Sequence, residues 1–313
     1  MRTVLPLVHD IRAATPDLPW AGLGEVAATV ERLGFDAVYV TDHPFPHPDY
    51  EAHGGHHSLD PFVALTAAAC ATSALLLQTL VLVMPYRDPF ITAKAAATVD
   101  LVSGGRLMLG LGSGYQEQEL AAFGVAAEGR LELTARRLEL MRLAWSGEPV
   151  HVEQPDLHIA GNVMLPRPVQ LPHPPLWVGG NSRAAIRLAV DAGQGWVPFI
   201  NPAAGRSVRR TSQLDSLDAL AARIEYLREY ASVRGRSEPV EIAFSLPLRD
   251  SATGKPLSAG EIVEGAGNLA ALGVSWVRMR PDHYTQPAST RPGYLDQIEK
   301  IGTDLLPSIR SIR

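Results

Sequence analysis

The sequence of 313 residues has one cysteine, Cys70, which cannot form a disulfide within the chain. A secreted scaffold held together by disulfides is therefore excluded. A reactive thiolate needs an activating neighbour such as a cation, and residues 61–86 contain no charged side chain. We therefore expect Cys70 to be a buried structural thiol.

Positive charge is also scarce, because 28 lysines and arginines stand against 33 aspartates and glutamates, which gives a net charge of −5. This balance gives no support to a nucleic acid or an anionic membrane as a partner, since both favour basic surfaces. The first apolar run is too short for a signal peptide before Asp10 and Arg12. We expect a cytoplasmic protein without a nucleic-acid or membrane partner.

The uncharged stretch at residues 61–86 is long enough to cross a bilayer. Its first half is rich in alanine and threonine, whereas Gln78 and Thr79 interrupt the apolar run of its second half. A buried helix followed by a strand covered on both faces explains this pattern better than a membrane span.

Short apolar runs alternate with longer helical patterns along the whole chain. The predicted strands are 3–8, 35–41, 77–84, 106–112, 175–180, 195–198, 240–248 and 274–280. The predicted helices are 23–33, 61–73, 90–101, 131–145, 183–191, 217–232, 259–272 and a closing helix, with a proline-rich irregular segment at 147–175. Eight strands alternating with helices predict a single α/β domain, 1–313, folded as a (β/α)8 TIM barrel with loop insertions.

Five of the ten histidines lie within residues 41–57, namely His43, His47, His53, His56 and His57. The cluster fits a metal site, a lid over chemistry supplied elsewhere, or a solvated polar loop. A zinc hydrolase needs a His-x-His at a strand end and further ligands on later strands. The later strand ends carry Met84, Gly112, Gly180 and Pro198 instead. We therefore predict no metal site.

Active sites of such barrels form at the carboxyl ends of the strands, which selects three loops. The first contains Asp42 and His43, the second Gly112, Ser113, Gly114 and Tyr115, and the third Gly179, Gly180, Asn181 and Ser182. In the third loop the glycines let backbone approach a ligand, Asn181 or Ser182 can cap the next helix, and the amides there suit a phosphate. A plain tight turn with a helix cap is the alternative.

The other two loops offer a ring site and an acid/base. Gly112 and Gly114 leave room for a flat ring or a phosphate, and Tyr115 offers a stacking face. Asp42 and His43 are neighbours on a strand and face opposite ways, so His43 reaches the barrel mouth only if the chain turns there. A loop-anchoring aspartate beside an incidental histidine is the alternative.

These loops together resemble the luciferase-like monooxygenase superfamily of flavin- and deazaflavin-dependent barrels. The segments that carry the resemblance are "GFDAVYVTDH", "VMPYRDPF", "SGGRLMLGLGSGYQEQELAAFG" and "LPRPVQLPHPPLWVGGNSRAAIRLAVDAGQGWVP". Within that superfamily, residues 41–198 are most similar to the oxidoreductases that use the deazaflavin coenzyme F420. About half of the chain is covered strongly.

The resemblance implies a role for each loop. The isoalloxazine-type ring would lie over a bulge in the third strand, often with a non-prolyl cis peptide, here within Thr79, Leu80 and Val81. Asp42 and His43 would lie at the polar edge of the ring, with His43 as the catalytic acid/base. The loop 112–115 would line the ring and 179–182 the phosphate.

It also implies that residues 44–57 are a lid, with every histidine of the segment except His43 a lid or surface residue. The expected activity is hydride transfer between coenzyme F420 and a small organic substrate. The alternatives are an FMN-dependent monooxygenase, a metal-dependent barrel hydrolase and a barrel that binds flavin without catalysis. A homodimer is the oligomer considered, because apolar helices such as 61–73 can pack against a partner.

Overall fold

The computed structural model describes residues 1–8, 22–202, 211–251, 253–285 and 290–312. Within these ranges, eight parallel strands close into a barrel in the order β1-β2-β3-β4-β7-β8-β9-β10. They are β1 Arg2–Pro6, β2 Ala37–Val40, β3 Leu76–Val83, β4 Leu107–Gly112, β7 Leu176–Gly179, β8 Gly195–Val197, β9 Glu241–Ser245 and β10 Trp276–Arg278. The predicted (β/α)8 barrel is confirmed.

Helices surround the barrel and fill the loops at its ends. They are α1 Leu23–Leu33, α2 Pro48–Ala52, α3 Pro61–Ala71, α4 Pro89–Ser103, α5 Glu117–Ala122, α6 Arg130–Trp145, α7 Arg183–Ala192, α8 Leu217–Val233, α9 Ala259–Leu272, α10 Pro281–Tyr284, α11 Arg291–Asp304 and α12 Leu306–Ser311. A 3₁₀ turn, Met84–Tyr86, follows β3. Several of these helices begin with an aspartate cap followed by proline. Asp60 and Asp88, for example, cap α3 and α4 because their carboxylates accept hydrogen bonds from backbone amides of the first turn.

Side chains fill the interior of the barrel below its mouth. This inner cluster consists of Val4, Ala37, Tyr39, Leu80, Met108, Trp177, Val197, Ala243 and Trp276. Trp177 and Trp276 meet edge to face with their ring centroids 5.9 Å apart, a favoured geometry for aromatic pairs. Because these side chains pack the lower barrel, the space for a ligand inside the barrel lies at the carboxyl ends of its strands.

The uncharged stretch forms α3 and β3, as predicted. No helix among the described residues is long and apolar enough to cross a membrane. The expectation for Cys70 is wrong, because its side chain is exposed. Cys70 lies two helical turns after the exposed Val63, so both face outward, while Ala64 and Ala68 face the core.

The segment 147–175 is not irregular throughout. It contains an antiparallel hairpin formed by β5 Val150–Gln154 and β6 Leu157–Asn162, joined at Pro155 and Asp156. Most side chains of both strands are exposed or half-buried, so they lack the continuous apolar run that identifies the barrel strands. The proline–aspartate turn was the available signal, since both residues favour tight turns.

Candidate active site

A cavity of about 210 Å³ opens at the carboxyl ends of the barrel strands. Its walls contain ten of the predicted site residues: Asp42, His43, Leu80, Val81, Gly112, Ser113, Gly114, Tyr115, Gly179 and Gly180. They also contain residues that were not predicted: Thr41, His56, Val83, Arg130, Val197, Phe199, Thr211 and Arg278. The tertiary structure therefore brings the three predicted loops to one site.

The third strand forms one wall of this cavity with an irregular backbone. The pairing of β3 with β4 shifts register between Thr79 and Leu82, and the peptide bond between Leu80 and Val81 is cis. Both features were expected here and are confirmed. Thr79 itself does not line the cavity, because it is fully buried and its Oγ1 donates to the Gly110 carbonyl oxygen at 2.8 Å.

Glycines of the neighbouring strand accommodate this bulge. A Cβ at Gly112 would lie 2.6 Å from Val81 Cγ2, and a Cβ at Gly110 would overlap the Thr79 carbonyl oxygen. Gly114 has a φ of +71°, and a Cβ there would lie 2.7 Å from Val83 Cγ1. The glycines of the "GLGSG" sequence are therefore required first by the close approach of β3. Their contact with a cofactor ring stays a prediction.

His43 is buried at the cavity wall and both of its ring nitrogens have partners. Nδ1 lies 3.1 Å from Glu119 Oε2, and Nε2 lies 3.1 Å from the Tyr50 hydroxyl and 3.2 Å from the Tyr115 hydroxyl. The two phenols are themselves 2.8 Å apart. The Gln116 amide nitrogen also lies 3.1 Å from Nδ1.

This arrangement can hold and move a proton. A carboxylate only accepts hydrogen bonds, so Glu119 at Nδ1 favours the tautomer with a proton on Nδ1. Nε2 is then the acceptor for the phenols and the nitrogen that can exchange a proton in the cavity. Glu119 is itself fixed, because its Oε1 accepts a hydrogen bond from the Phe45 amide at 3.0 Å. His43 is therefore an imidazole oriented by a carboxylate, which is a common form of general acid or base.

Asp42 also lines the cavity, but its carboxylate has different partners from those of His43. Its Oδ2 accepts from the Val83 amide and from Arg87 Nε, each at 2.9 Å, and its Oδ1 accepts from Arg87 Nη2 at 2.6 Å. Burial alone lowers the pKa of Arg87, but the hydrogen bonds and charge of Asp42 outweigh it and raise that pKa. Asp42 thus ties β2 to the end of the bulged strand. Contact with a cofactor stays a prediction.

A polar recess of about 490 Å³ adjoins the cavity at the start of α7. Its polar lining consists of Ser113, Gly179, Gly180, Arg130, Ser182, Thr211 and Ser212. Ser182 caps α7 by accepting a hydrogen bond from the Ala185 amide at 3.1 Å. Hydroxyls, backbone amides at a helix start and one guanidinium are groups that bind phosphate.

Asn181 does not belong to the lining of the cavity or the recess. Its side chain is fully buried, its Nδ2 donates to the carbonyl oxygens of Phe199 and Ser212, and its Oδ1 accepts from the Phe199 amide. Asn181 therefore holds the chain after β8 in place beside the recess.

Of the five histidines at 41–57, His43 and His56 line the cavity and the other three lie further out. His56 lines the cavity, with its Nε2 3.1 Å from Thr41 Oγ1 and its ring centroid 5.3 Å from that of His43. Of the two expected places, lid or surface, this position fits the lid, and its role there stays a prediction. His47, His53 and His57 are exposed or half-exposed on the segment that contains α2. Among the described residues, no group of three or more His, Cys, Asp and Glu side chains is placed to hold a metal ion.

A model of the luciferase-like monooxygenase family matches residues 1–250, which is well over half of the chain. The chain belongs to the luciferase-like monooxygenase family. The uncharacterized protein Rv0953c of Mycobacterium tuberculosis is 30% identical over 186 residues, covering 55% of this chain and 65% of that protein. The chain thus spans 65% of the length of the curated relatives it matches.

Solved structures resemble this luciferase-like chain over nearly its full length. The monooxygenase RslO1 from Streptomyces bottropensis has a TM-score of 0.78 at 20% identity, covering 98% of this chain and 99% of that one. An F420-dependent secondary alcohol dehydrogenase in complex with an F420-acetone adduct has a TM-score of 0.72 at 18% identity, and the match covers 99% of both chains. A third structure is the oxygenating constituent of 3,6-diketocamphane monooxygenase from Pseudomonas putida in complex with FMN. It has a TM-score of 0.73 at 18% identity, and the match covers 98% of both chains. At these identities the likeness shows the fold.

Proposed function

We propose that this luciferase-like oxidoreductase transfers a hydride between the deazaflavin coenzyme F420 and a small organic substrate. The observation that carries the proposal is the buried His43 at the cavity wall, held by Glu119 at Nδ1 and by two phenols at Nε2. A bound deazaflavin supplies the hydride or accepts it. The protein must then manage the proton that accompanies interconversion of a carbonyl and an alcohol.

His43 is suited to that proton. When a carbonyl is reduced, its oxygen gains a proton, which the doubly protonated imidazole of His43 donates from Nε2, directly or through a phenol bonded to it, and His43 is left neutral. Oxidation of an alcohol reverses the transfer. Glu119 keeps the imidazole oriented through the contact between its Oε2 and His43 Nδ1. Apolar side chains such as Val197 and Phe199 in the wall help to exclude water from the reacting groups.

The residues present fit the coenzyme. Leu80 and Val81 offer an apolar surface, on the bulged strand, for a flat ring. Arg130 and the hydroxyls of the recess would bind a phosphate of the coenzyme, which is an anion. The cavity and the recess share wall residues, including Ser113 and Gly180, so one ligand can occupy both.

An FMN-dependent monooxygenase is the second candidate function, and the FMN-bound structure with the same fold supports it. FMN also has a flat ring and a phosphate, so the cavity and recess suit both cofactors. The oriented acid/base favours hydride transfer to or from an oxygen-bearing carbon. A cytoplasmic location and a homodimer stay predictions.

Equilibrium titration of the purified protein with F420 and with FMN, followed by ligand fluorescence, tests the proposal. We expect saturable binding of F420, tighter than that of FMN. Arg130→Gln removes the cation of the recess and should weaken F420 binding about tenfold, since a charge-assisted hydrogen bond contributes about 1.5–3 kcal/mol. Tight FMN binding without affinity for F420, together with oxygen consumption, would favour the monooxygenase.

A further inference from the structure

Arg278 ends the last barrel strand and lines the cavity on the side of β8 and β9. Its Nη2 donates to the Pro198 carbonyl oxygen at 3.2 Å and to Ser245 Oγ at 2.9 Å. Its Nε is buried and has no hydrogen-bond partner among the described residues. The contacts to Pro198 and Ser245 therefore account for one of the three guanidinium nitrogens.

No carboxylate neutralises this cation within the described part of the chain. Arg280, two residues further on, differs from Arg278 in this respect, because it forms an ion pair with Asp282 at 2.7 Å. The acidic groups nearest the cavity are already engaged, Asp42 by Arg87 and Glu119 by His43. Burial lowers the pKa of Arg278, yet a guanidinium stays protonated at neutral pH.

Arg278 is half-buried, and a cation without a counter-ion is costly to remove even partly from water. A side chain needed only to close the barrel mouth could be neutral. The cavity wall next to Arg278 includes Val197 and Phe199, which are apolar. Within the described ranges, the cavity thus places a guanidinium that has no carboxylate partner beside apolar side chains.

We propose that Arg278 binds a carboxylate group of the substrate, so that the substrate is a small organic acid anion with an apolar body. This inference rests on the proposed function, since it names the substrate class of the same cavity. Nη2 already donates to Pro198 and Ser245 and Nε is buried, so Nη1 is the guanidinium nitrogen that can donate to a carboxylate oxygen in the cavity. The phosphate recess has its own cation, Arg130, so the two anions are bound by different arginines.

Isothermal calorimetry with benzoate and benzamide tests this inference without a known substrate. The two probes share an apolar ring and differ in charge. We expect benzoate to bind the wild-type protein and benzamide to bind at least tenfold more weakly, both with and without saturating F420. Arg278→Gln should reduce benzoate affinity by about tenfold to a hundredfold and leave that of benzamide unchanged. Arg280→Gln, the same change at a paired arginine, should leave both unchanged.

The outcomes separate this inference from the proposed function. If wild-type protein binds benzoate no better than benzamide, or if Arg278→Gln leaves benzoate affinity unchanged, the inference is wrong. It is also wrong if F420 displaces benzoate competitively, because Arg278 then faces the coenzyme. If benzoate binding depends on Arg278 but F420 does not bind, the anion site stands and the coenzyme proposal fails. If Arg278→Gln does not fold, Arg278→Lys replaces it, and a severalfold loss for benzoate alone is expected because the ammonium of lysine does not reproduce the position and direction of the Nη1 donors.

Discussion

Changing Glu119 to Gln removes the negative charge that orients His43 while keeping the size of the side chain. Glu119 is 2% exposed, so water cannot substitute for the lost carboxylate. The amide oxygen of Gln can still accept from the Phe45 amide, which preserves the anchoring contact seen at 3.0 Å. The amide nitrogen is a donor, however, and it would face His43 Nδ1 where the carboxylate accepted.

The size of the effect follows from that one hydrogen bond. A hydrogen bond to a charged group contributes about 1.5–3 kcal/mol, and about 1.4 kcal/mol corresponds to a tenfold change in rate. Glu119→Gln should therefore lower kcat about tenfold to a hundredfold. The binding of F420 should change little, because the recess that would hold its phosphate is intact.

Two measurements check this prediction. Steady-state turnover gives kcat separately from the Kd of the coenzyme, and ¹⁵N NMR of the imidazole reports which ring nitrogen carries the proton. The proton should lie on Nδ1 of His43 in the wild type and shift toward Nε2 in Glu119→Gln. Glu132→Gln, the same change at an exposed position of α6, is the control and should alter neither quantity. Unchanged kcat and tautomer in folded Glu119→Gln protein would refute the role assigned to Glu119.

Three further predictions concern the acid/base, the bulge and a pH-dependent anchor. His43→Ala should lower turnover by about 10²–10⁴, whereas His47→Ala, at an exposed lid position, should change it little in the same assay. Gly112→Ala should destabilise the fold by about 1–3 kcal/mol in urea unfolding, because its Cβ would lie 2.6 Å from Val81 Cγ2. The control is Gly267→Ala in α9, which has open space around it and should stabilise the fold by about 0.5–1 kcal/mol. Glu31 is desolvated, which raises its pKa, but three backbone amides donate to it and hold that pKa below its ordinary value. Its carboxylate therefore stabilises the fold above about pH 4.5 and less as pH falls below that, so Glu31→Gln should lower Tm by about 2 °C at pH 7 and by progressively less in acid.

The barrel and the location of its active end were predictable from the sequence. Each barrel strand is an apolar run covered on both faces, and each is separated from the next by a helical pattern, so local composition determines the elements and their order. The bulge at Thr79–Val81 was predictable only through family resemblance. The hairpin at 150–162 was not predicted, because its mostly exposed strands carry little apolar patterning.

The site itself was decided by the tertiary structure. His43 and Glu119 are 76 positions apart in the chain, and no local pattern marks Glu119 as the partner of that imidazole. That no carboxylate in the described part of the chain neutralises Arg278 is likewise a property of its surroundings in space, not of its neighbours in sequence. Hydrogen bonds and ion pairs between loops depend on distances of about 3 Å, which closure of the barrel sets and residue spacing does not.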